Sequence, residues 1–290
     1  MILVSIGGIK IETRTYDNAT TVSVHITDKC NMRCPHCYQK DYSGYSNVID
    51  KEKAFEALYK IKPETIIMYG GEPMLFPNIV KDFFNEFEDK SHMIIATNGT
   101  IWNKELYDRA YMIMVTLESF FFNYSNNRKY TKAQYNNLMK IIRTYKYKLN
   151  ITHNLYPKNN DPYFYRMIQL GDFNSGPYPI VDYCEEADYE PEVLKEYDID
   201  LEPLINPKLR ILTDGTITKD MRGVYNLCSV DEWEDEYKNA AVPVHKKCIS
   251  CKYNIVCPSY KMFPHFCKDV LDKIEDPHFC KIARWIYVQD

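Results

Sequence analysis

From residue 22 onward the chain alternates short apolar, β-branched runs with stretches of helical spacing. Residues 22–26 read Val-Ser-Val-His-Ile, a strand pattern, and residues 51–61 carry Phe55, Leu58 and Tyr59 at the interval of one helix face. The same reading predicts further strands at 65–69, 93–96, 111–117, 149–155 and 178–183. Helices are predicted between them at 79–87, 104–109, 131–147 and 163–170, the third of these opened by Thr131. Repeated strand–helix units imply an α/β fold with a parallel sheet. About six units fit between Val22 and Tyr183, not the eight of a closed barrel.

The polar residues collect where these strands end. A cysteine-bearing loop follows the first strand, Gly70-Gly71-Glu72-Pro73 the second, and Thr97-Asn98-Gly99-Thr100 the third. Glu118-Ser119 and Asn154 close the next two. Parallel α/β sheets and barrels place their chemistry at those carboxyl ends. Residues 1–20 read as an N-terminal extension with a hairpin through Tyr16-Asp17-Asn18, and residues 21–190 as the barrel. An acidic, proline-bearing bridge covers 191–208. From 209 a hairpin signal centred on Asp214-Gly215, a pair suited to a type I′ turn, opens a small cysteine-rich hairpin-plus-helix module running to 290.

Composition narrows the setting. With 290 residues the chain can bury a full core, and 45% hydrophobic and 26% charged residues are ordinary for a globular protein. A net charge of −4 gives no reason to expect a nucleic-acid partner. Most of the 25 tyrosines are expected to pack with a wet hydroxyl. The N-terminus lacks the basic segment of a signal peptide, and no apolar run reaches the ~20 residues of a membrane span. A cytoplasmic, thiol-reducing compartment is therefore expected, where clustered cysteines among the ten bind metal more often than they pair.

The sharpest motif is Cys30-Asn31-Met32-Arg33-Cys34-Pro35-His36-Cys37-Tyr38, three thiols with no fourth nearby. A structural zinc site closes its tetrahedron with four ligands, whereas an iron–sulfur cluster can take three thiolates and leave one iron open. This motif resembles the signature of the radical S-adenosylmethionine (radical SAM) enzymes. The resemblance implies a partial (β/α)6 TIM-like barrel. It also implies a 4Fe–4S cluster on Cys30, Cys34 and Cys37 whose open iron binds S-adenosylmethionine (SAM).

The resemblance extends to Gly70-Gly71-Glu72-Pro73, one strand–helix unit downstream. In the family such a turn holds the methionine amino group of SAM, with the backbone approaching closely at the glycines, and Glu72 would set a carboxylate near that ammonium. Thr97, Asn98 and Glu118 fall where the family's third and fourth strands contact the ribose and carboxylate of SAM. Many relatives carry Ser-x-Asp-Gly where this chain has Thr116-Leu117-Glu118-Ser119. Asn154 is a weaker candidate of the same kind, and Tyr38 is placed by the adenine.

The C-terminal cysteines, Cys248-x2-Cys251-x5-Cys257 followed by Cys267 and Cys280, resemble the SPASM/twitch modules that follow many radical SAM barrels. Two expected ligand positions read Lys219 and Lys261, which removes the first auxiliary cluster of that pattern. The resemblance leaves one auxiliary 4Fe–4S cluster on Cys248, Cys251, Cys257 and Cys280. A four-cysteine zinc ribbon uses the same soft ligands and stays open. Cys184, Cys228 and Cys267 have no assigned role, and none of the seven histidines is assigned to catalysis.

Members with such modules most often modify peptides or proteins by crosslinking, epimerisation or oxidation. The expected activity is therefore reductive cleavage of SAM to a 5′-deoxyadenosyl radical and hydrogen abstraction from a peptide or protein. Alternatives are a small-molecule substrate (an aminoglycoside, a nucleoside or a cofactor precursor) or a metal-binding scaffold without turnover. A flavodoxin- or ferredoxin-like reductant is expected as a partner, and no membrane. Only 29 residues precede Cys30, fewer than the ~80–90 of a leader-peptide-binding domain. A leader-bearing substrate would then need a separate recognition protein or the barrel itself.

Overall fold

A computed structural model of the chain describes residues 2–6, 9–13, 21–34, 37, 47–117, 120, 122, 128–155, 174–179, 209–218 and 226–234. Tyr38, Glu118, Lys219, Lys261, Cys184, Cys248, Cys251, Cys257, Cys267 and Cys280 lie outside the described residues, as does the helix expected at 163–170.

β1 (Ile2–Ile6) and β2 (Ile9–Thr13) pair antiparallel as a separate two-stranded sheet. The innermost described pair is Ile6 with Ile9, and Tyr16-Asp17-Asn18, where a hairpin is expected, lies outside the described residues.

The main sheet is built from β3 (Thr21–Thr27), β4 (Thr65–Gly70), β5 (His92–Thr97), β6 (Met112–Thr116), β7 (Leu149–Leu155) and β8 (Asn174–Pro179). These six strands lie side by side in chain order and are parallel throughout, as repeated strand–helix units require. β8 begins and ends four residues ahead of the predicted 178–183. Its Pro177 and Pro179 weaken a strand signal, yet they are tolerated because β8 is the last strand of the described sheet and pairs on one side only.

On the other side of β3 the sheet continues with β9 (Leu209–Ile211), parallel to β3 in the register Val22 to Leu209 and Val24 to Ile211. β10 (Ile217–Thr218) and β11 (Asn226–Cys228) follow antiparallel. The hairpin expected to open a C-terminal module thus extends the parallel sheet. Its turn also binds the first helix, because Asp50 donates its backbone N–H to the Thr213 carbonyl at 2.8 Å.

Among the described residues four helices cover one face: α1 (Lys51–Ile61), α2 (Pro77–Phe87), α3 (Lys104–Arg109) and α4 (Lys132–Thr144). Asp50 and Asn103 cap α1 and α3, and Thr131 with Gln134 forms a reciprocal capping box on α4. The helices bury Ala57, Leu58, Phe83, Phe84, Leu106, Leu138 and Ile141 against Val22, Val24, Ile26, Ile66, Met68, Ile95 and Ile113 of the strands. Strand alternation then turns Ser23, His25, Ile67, Tyr69 and Arg210 to the opposite, inner face. There the His25 and Tyr69 rings meet at 5.0 Å and the Arg210 guanidinium lies 5.2 Å over Tyr69.

Candidate active site at the carboxyl ends of the strands

The loop leaving β3 carries the three cysteines, and its two ends are sewn together. Asp28 N–H donates to the Asn47 carbonyl at 3.1 Å, Ile49 N–H donates to the Ile26 carbonyl at 2.9 Å, and Val48 bridges Thr27. The Thr27 hydroxyl donates to the Asn47 carbonyl and accepts from Lys29 N–H, turning the chain away from the strand. Within the loop, Cys37 N–H donates to the Cys34 carbonyl at 3.1 Å. None of Cys30, Cys34 and Cys37 is in a disulfide; the first is exposed and the other two half-buried.

Gly70-Gly71-Glu72-Pro73 locks this loop to the end of β4. Gly71 N–H donates to the Thr27 carbonyl at 2.7 Å and Glu72 N–H to the Lys29 carbonyl at 2.9 Å. A Cβ on Gly71 would fall 2.2 Å from the Lys29 carbonyl oxygen, and one on Gly70 would fall 2.4 Å from that of Thr27. Gly70 also has φ +144°, where a side chain is strained. The glycines are thus required first by the approach of two backbone segments to each other.

Glu72 is 0% exposed. Its Oε1 accepts from Met74 N–H at 3.0 Å and from the Thr97 hydroxyl at 2.8 Å, and its Oε2 accepts from Asn98 N–H at 2.7 Å. The carboxylate thus ties the end of β4 to the end of β5. Burial pushes its pKa up to about 7, opposed by the donors from Asn98, Met74 and Thr97 and by the charge of Arg128.

Past β5, Asn98 forms the centre of a polar ring. Its Nδ2 donates to Asn31 Oδ1 at 3.0 Å, Asn31 Nδ2 donates to Thr100 Oγ1 at 2.8 Å, and Thr100 Oγ1 donates back to Asn98 Oδ1 at 2.6 Å. Asn98 Nδ2 also lies 3.7 Å from Cys30 Sγ, which accepts Met32 N–H at 3.4 Å as well. Tyr130 Oη donates to the Asn98 carbonyl. Loss of water raises the Cys30 thiol pKa; Met32 N–H opposes this, Glu72 and Cys37 add to it, and Asn98 opposes it.

The structure thus brings Cys30, Cys34, Cys37, Gly70, Gly71, Glu72, Pro73, Thr97 and Asn98 to adjoining strand ends. Asn154 is described in backbone only, paired with Tyr178 across β7 and β8. Asn31 and Thr100, which lie in the sequence motifs without an assigned role, and Tyr130, which lies in none, belong to the same constellation. Adjacency to Cys30 and to Asn98 was the available signal for the first two; nothing local marks Tyr130. Cys228 is a buried thiol on β11.

The donor set fits an iron–sulfur cluster. Three soft thiols share one loop, and two N–H groups aim at Cys30 Sγ, as suits a thiolate. Among the described residues no group of three or more His, Cys, Asp or Glu side chains converges to hold a metal ion. A four-iron cluster asks something different, one thiolate for each of three separate irons.

Comparison with known proteins agrees with this arrangement. Residues 24–171, just over half of the chain, match the Radical SAM superfamily. The chain belongs to that superfamily, whose members are enzymes and whose membership implies a 4Fe–4S cluster and SAM. Its sequence is 26% identical over 155 residues to an S-adenosylmethionine-dependent nucleotide dehydratase of Flammeovirga pacifica, covering 45% of this chain and 52% of that protein. It is 26% identical over 87 residues to a GTP 3′,8-cyclase of Clostridium perfringens, 27% of each. The chain thus spans about half the length of the first of these relatives and about a quarter of the second.

Among solved structures, anSMEcpe with bound AdoMet superposes with a TM-score of 0.64 at 13% identity, covering 92% of this chain and 95% of that one. The same protein with AdoMet and a Cp18Cys peptide gives 0.57, covering 92% and 99%. Streptococcus suis SuiB bound to S-adenosylmethionine gives 0.58 at 11% identity, covering 82% and 72%. At these identities the likeness is one of fold. Among the described residues no helix is long and apolar enough to cross a membrane.

Proposed function

We propose that the protein is a radical SAM enzyme that modifies a peptide or protein. The observation that carries the SAM-cleaving half is the double lock of the cysteine loop onto Gly71 and Glu72. It holds three thiols beside the strand-end backbone that, in this reading, receives the methionine end of SAM. Cys30, Cys34 and Cys37 would hold the cluster. Gly70, Gly71, Glu72, Pro73 and Thr97 would shape the cofactor's seat, with Tyr38, Glu118 and Asn154 as further contacts. Bound there, these groups supply reductive cleavage of SAM, whose 5′-deoxyadenosyl radical takes hydrogen from an unactivated carbon. The protein's own part is to fix the loop, exclude water and hold the strand ends in register, which Glu72 does from beneath.

The rest of the proposal follows from the C-terminal cysteines. Cys248, Cys251, Cys257 and Cys280 would ligate one auxiliary 4Fe–4S cluster that accepts an electron in a net two-electron oxidation. Residues 209–290 would then be a SPASM/twitch-like module that starts within the barrel's sheet, after the 1–20 extension, the 21–190 barrel and the 191–208 bridge. A flavodoxin- or ferredoxin-like reductant in the cytoplasm would supply the electron, and a separate leader-binding protein could present the substrate. The peptide reading is supported by the fold likeness to anSMEcpe, which spans nearly all of both chains, including with peptide bound.

A second reading, a nucleotide or other small-molecule substrate, draws on the names of the sequence relatives and on the polar inner wall at His25, Tyr69 and Arg210. Deuterium transfer separates the two. The reconstituted enzyme is incubated with deuterated peptides or with deuterated nucleotides, and label is followed into 5′-deoxyadenosine. Label from peptide alone supports the first reading; label from nucleotides alone overturns it.

A further inference from the structure

We propose that Asn98 is a positioning residue for the Cys30 thiolate, donating an amide hydrogen to Sγ and so raising the reduction potential of the cluster that Cys30 holds. The inference rests on the reading of Cys30 as a cluster ligand and departs from the resemblance, which places Asn98 against SAM.

The geometry leaves the Asn98 side chain no freedom to do otherwise. The backbone N–H of Thr100 can only donate, and it reaches Asn98 Oδ1 at 2.9 Å. That fixes which end of the amide is oxygen. The Thr100 hydroxyl takes the second lone pair of Oδ1 at 2.6 Å. On the opposite end, one Nδ2 hydrogen goes to Asn31 Oδ1 at 3.0 Å and the other faces Cys30 Sγ at 3.7 Å. An asparagine side chain offers two donors and two acceptor lone pairs, and all four are spoken for.

The ring makes this orientation self-consistent. Asn31 Nδ2 must donate to Thr100 Oγ1, the Thr100 hydroxyl must then donate to Asn98 Oδ1, and Asn98 Nδ2 must donate to Asn31 Oδ1. Reversing any member would set two donors against each other. The main chain of Asn98 is equally occupied: its N–H reaches Glu72 and its carbonyl accepts from Tyr130. Asn98 is therefore clamped from both sides, with 7% of its surface exposed. A hydrogen bond to a cluster thiolate stabilises the reduced, more negative form, and such bonds are among the levers that set these potentials.

The test is an EPR-monitored redox titration of the holoenzyme, reading the reduced signal that responds to SAM, with SAM affinity taken from the same response. Asn98→Ala is expected to lower the equilibrium constant for reduction by about tenfold, ~59 mV for a one-electron couple, with the SAM dissociation constant within about twofold. Thr100→Val removes one of the two donors on Asn98 Oδ1 and the acceptor of Asn31 Nδ2, loosening the ring while the Thr100 N–H and Asn98 stay in place, and should give a smaller shift in the same direction. An unchanged potential in both variants overturns the proposal, as does weakened SAM binding without a shift, which would make Asn98 a SAM contact. If Asn98→Ala cannot retain iron, Thr100→Val and Asn31→Ala carry the same comparison. If the unmodified protein shows no SAM-responsive signal, the proposed function fails first and takes this inference with it.

Discussion

The Glu72 carboxylate accepts the Asn98 backbone N–H at 2.7 Å while leaving no surface exposed. Through this bond the ends of β4 and β5 are held by an acid whose two oxygens both face donors. Both oxygens face backbone N–H groups, Oε1 that of Met74 and Oε2 that of Asn98. Glu72→Gln therefore turns an amide NH2 onto a backbone donor whichever way it rotates. We expect a loss of about 1–3 kcal/mol in urea unfolding, although the change is isosteric.

The same residue gives a pH signature. Its carboxyl rises from 4.5 to about 7 in the folded chain, so between those values the folded state holds a proton that the unfolded state has released. Its contribution to stability is complete below the lower value and is lost as pH rises through the upper one. The Glu72→Gln deficit should accordingly narrow between about pH 5 and pH 8. A deficit that widens over that range would contradict the assignment.

Gly71 admits no side chain because the Lys29 carbonyl oxygen lies 2.2 Å from the place of its Cβ. Gly71→Ala should cost about 1–3 kcal/mol through forced displacement of the cysteine loop. Iron retained after desalting should fall with it. Normal iron content in a folded Gly71→Ala protein would show that the loop is not locked there.

Much of this architecture is legible in the residues, and the exceptions share a cause. The strands β3 to β7 and the four helices announce themselves through local period, and Thr131 through its cap. The six-strand parallel order follows from repetition alone. By contrast, β9 joins β3 across nearly two hundred residues of chain, and nothing local in Leu209–Ile211 specifies that partner. Glu72 was legible as an acid in a motif but not as a buried clasp, because Thr97 and Asn98 reach it only after folding. Asn31 was hidden for the same reason: its partners Asn98 and Thr100 lie on another strand's end.

A control away from the site comes from α4. Thr131→Ala removes the reciprocal cap with Gln134 and should cost about 1 kcal/mol in thermal or urea unfolding. Iron content and SAM response should remain those of the unmodified protein.

The proposed auxiliary cluster predicts a count. Two 4Fe–4S clusters give about eight irons and eight sulfides per chain, and Cys248→Ala should leave about four of each with SAM cleavage retained. Zinc in stoichiometric amount beside about four irons would instead assign the C-terminal cysteines to a ribbon.

The central claim is that the loop of Cys30, Cys34 and Cys37, locked on Gly71 and Glu72, supports reductive cleavage of SAM. The direct measurement is 5′-deoxyadenosine formed under anaerobic reduction, comparing the reconstituted protein with its Cys30→Ala, Cys34→Ala and Cys37→Ala variants. The account predicts 5′-deoxyadenosine and methionine in equal amounts from the unmodified protein and background from each variant. No 5′-deoxyadenosine from an iron-replete unmodified protein, or undiminished formation in the variants, would contradict it.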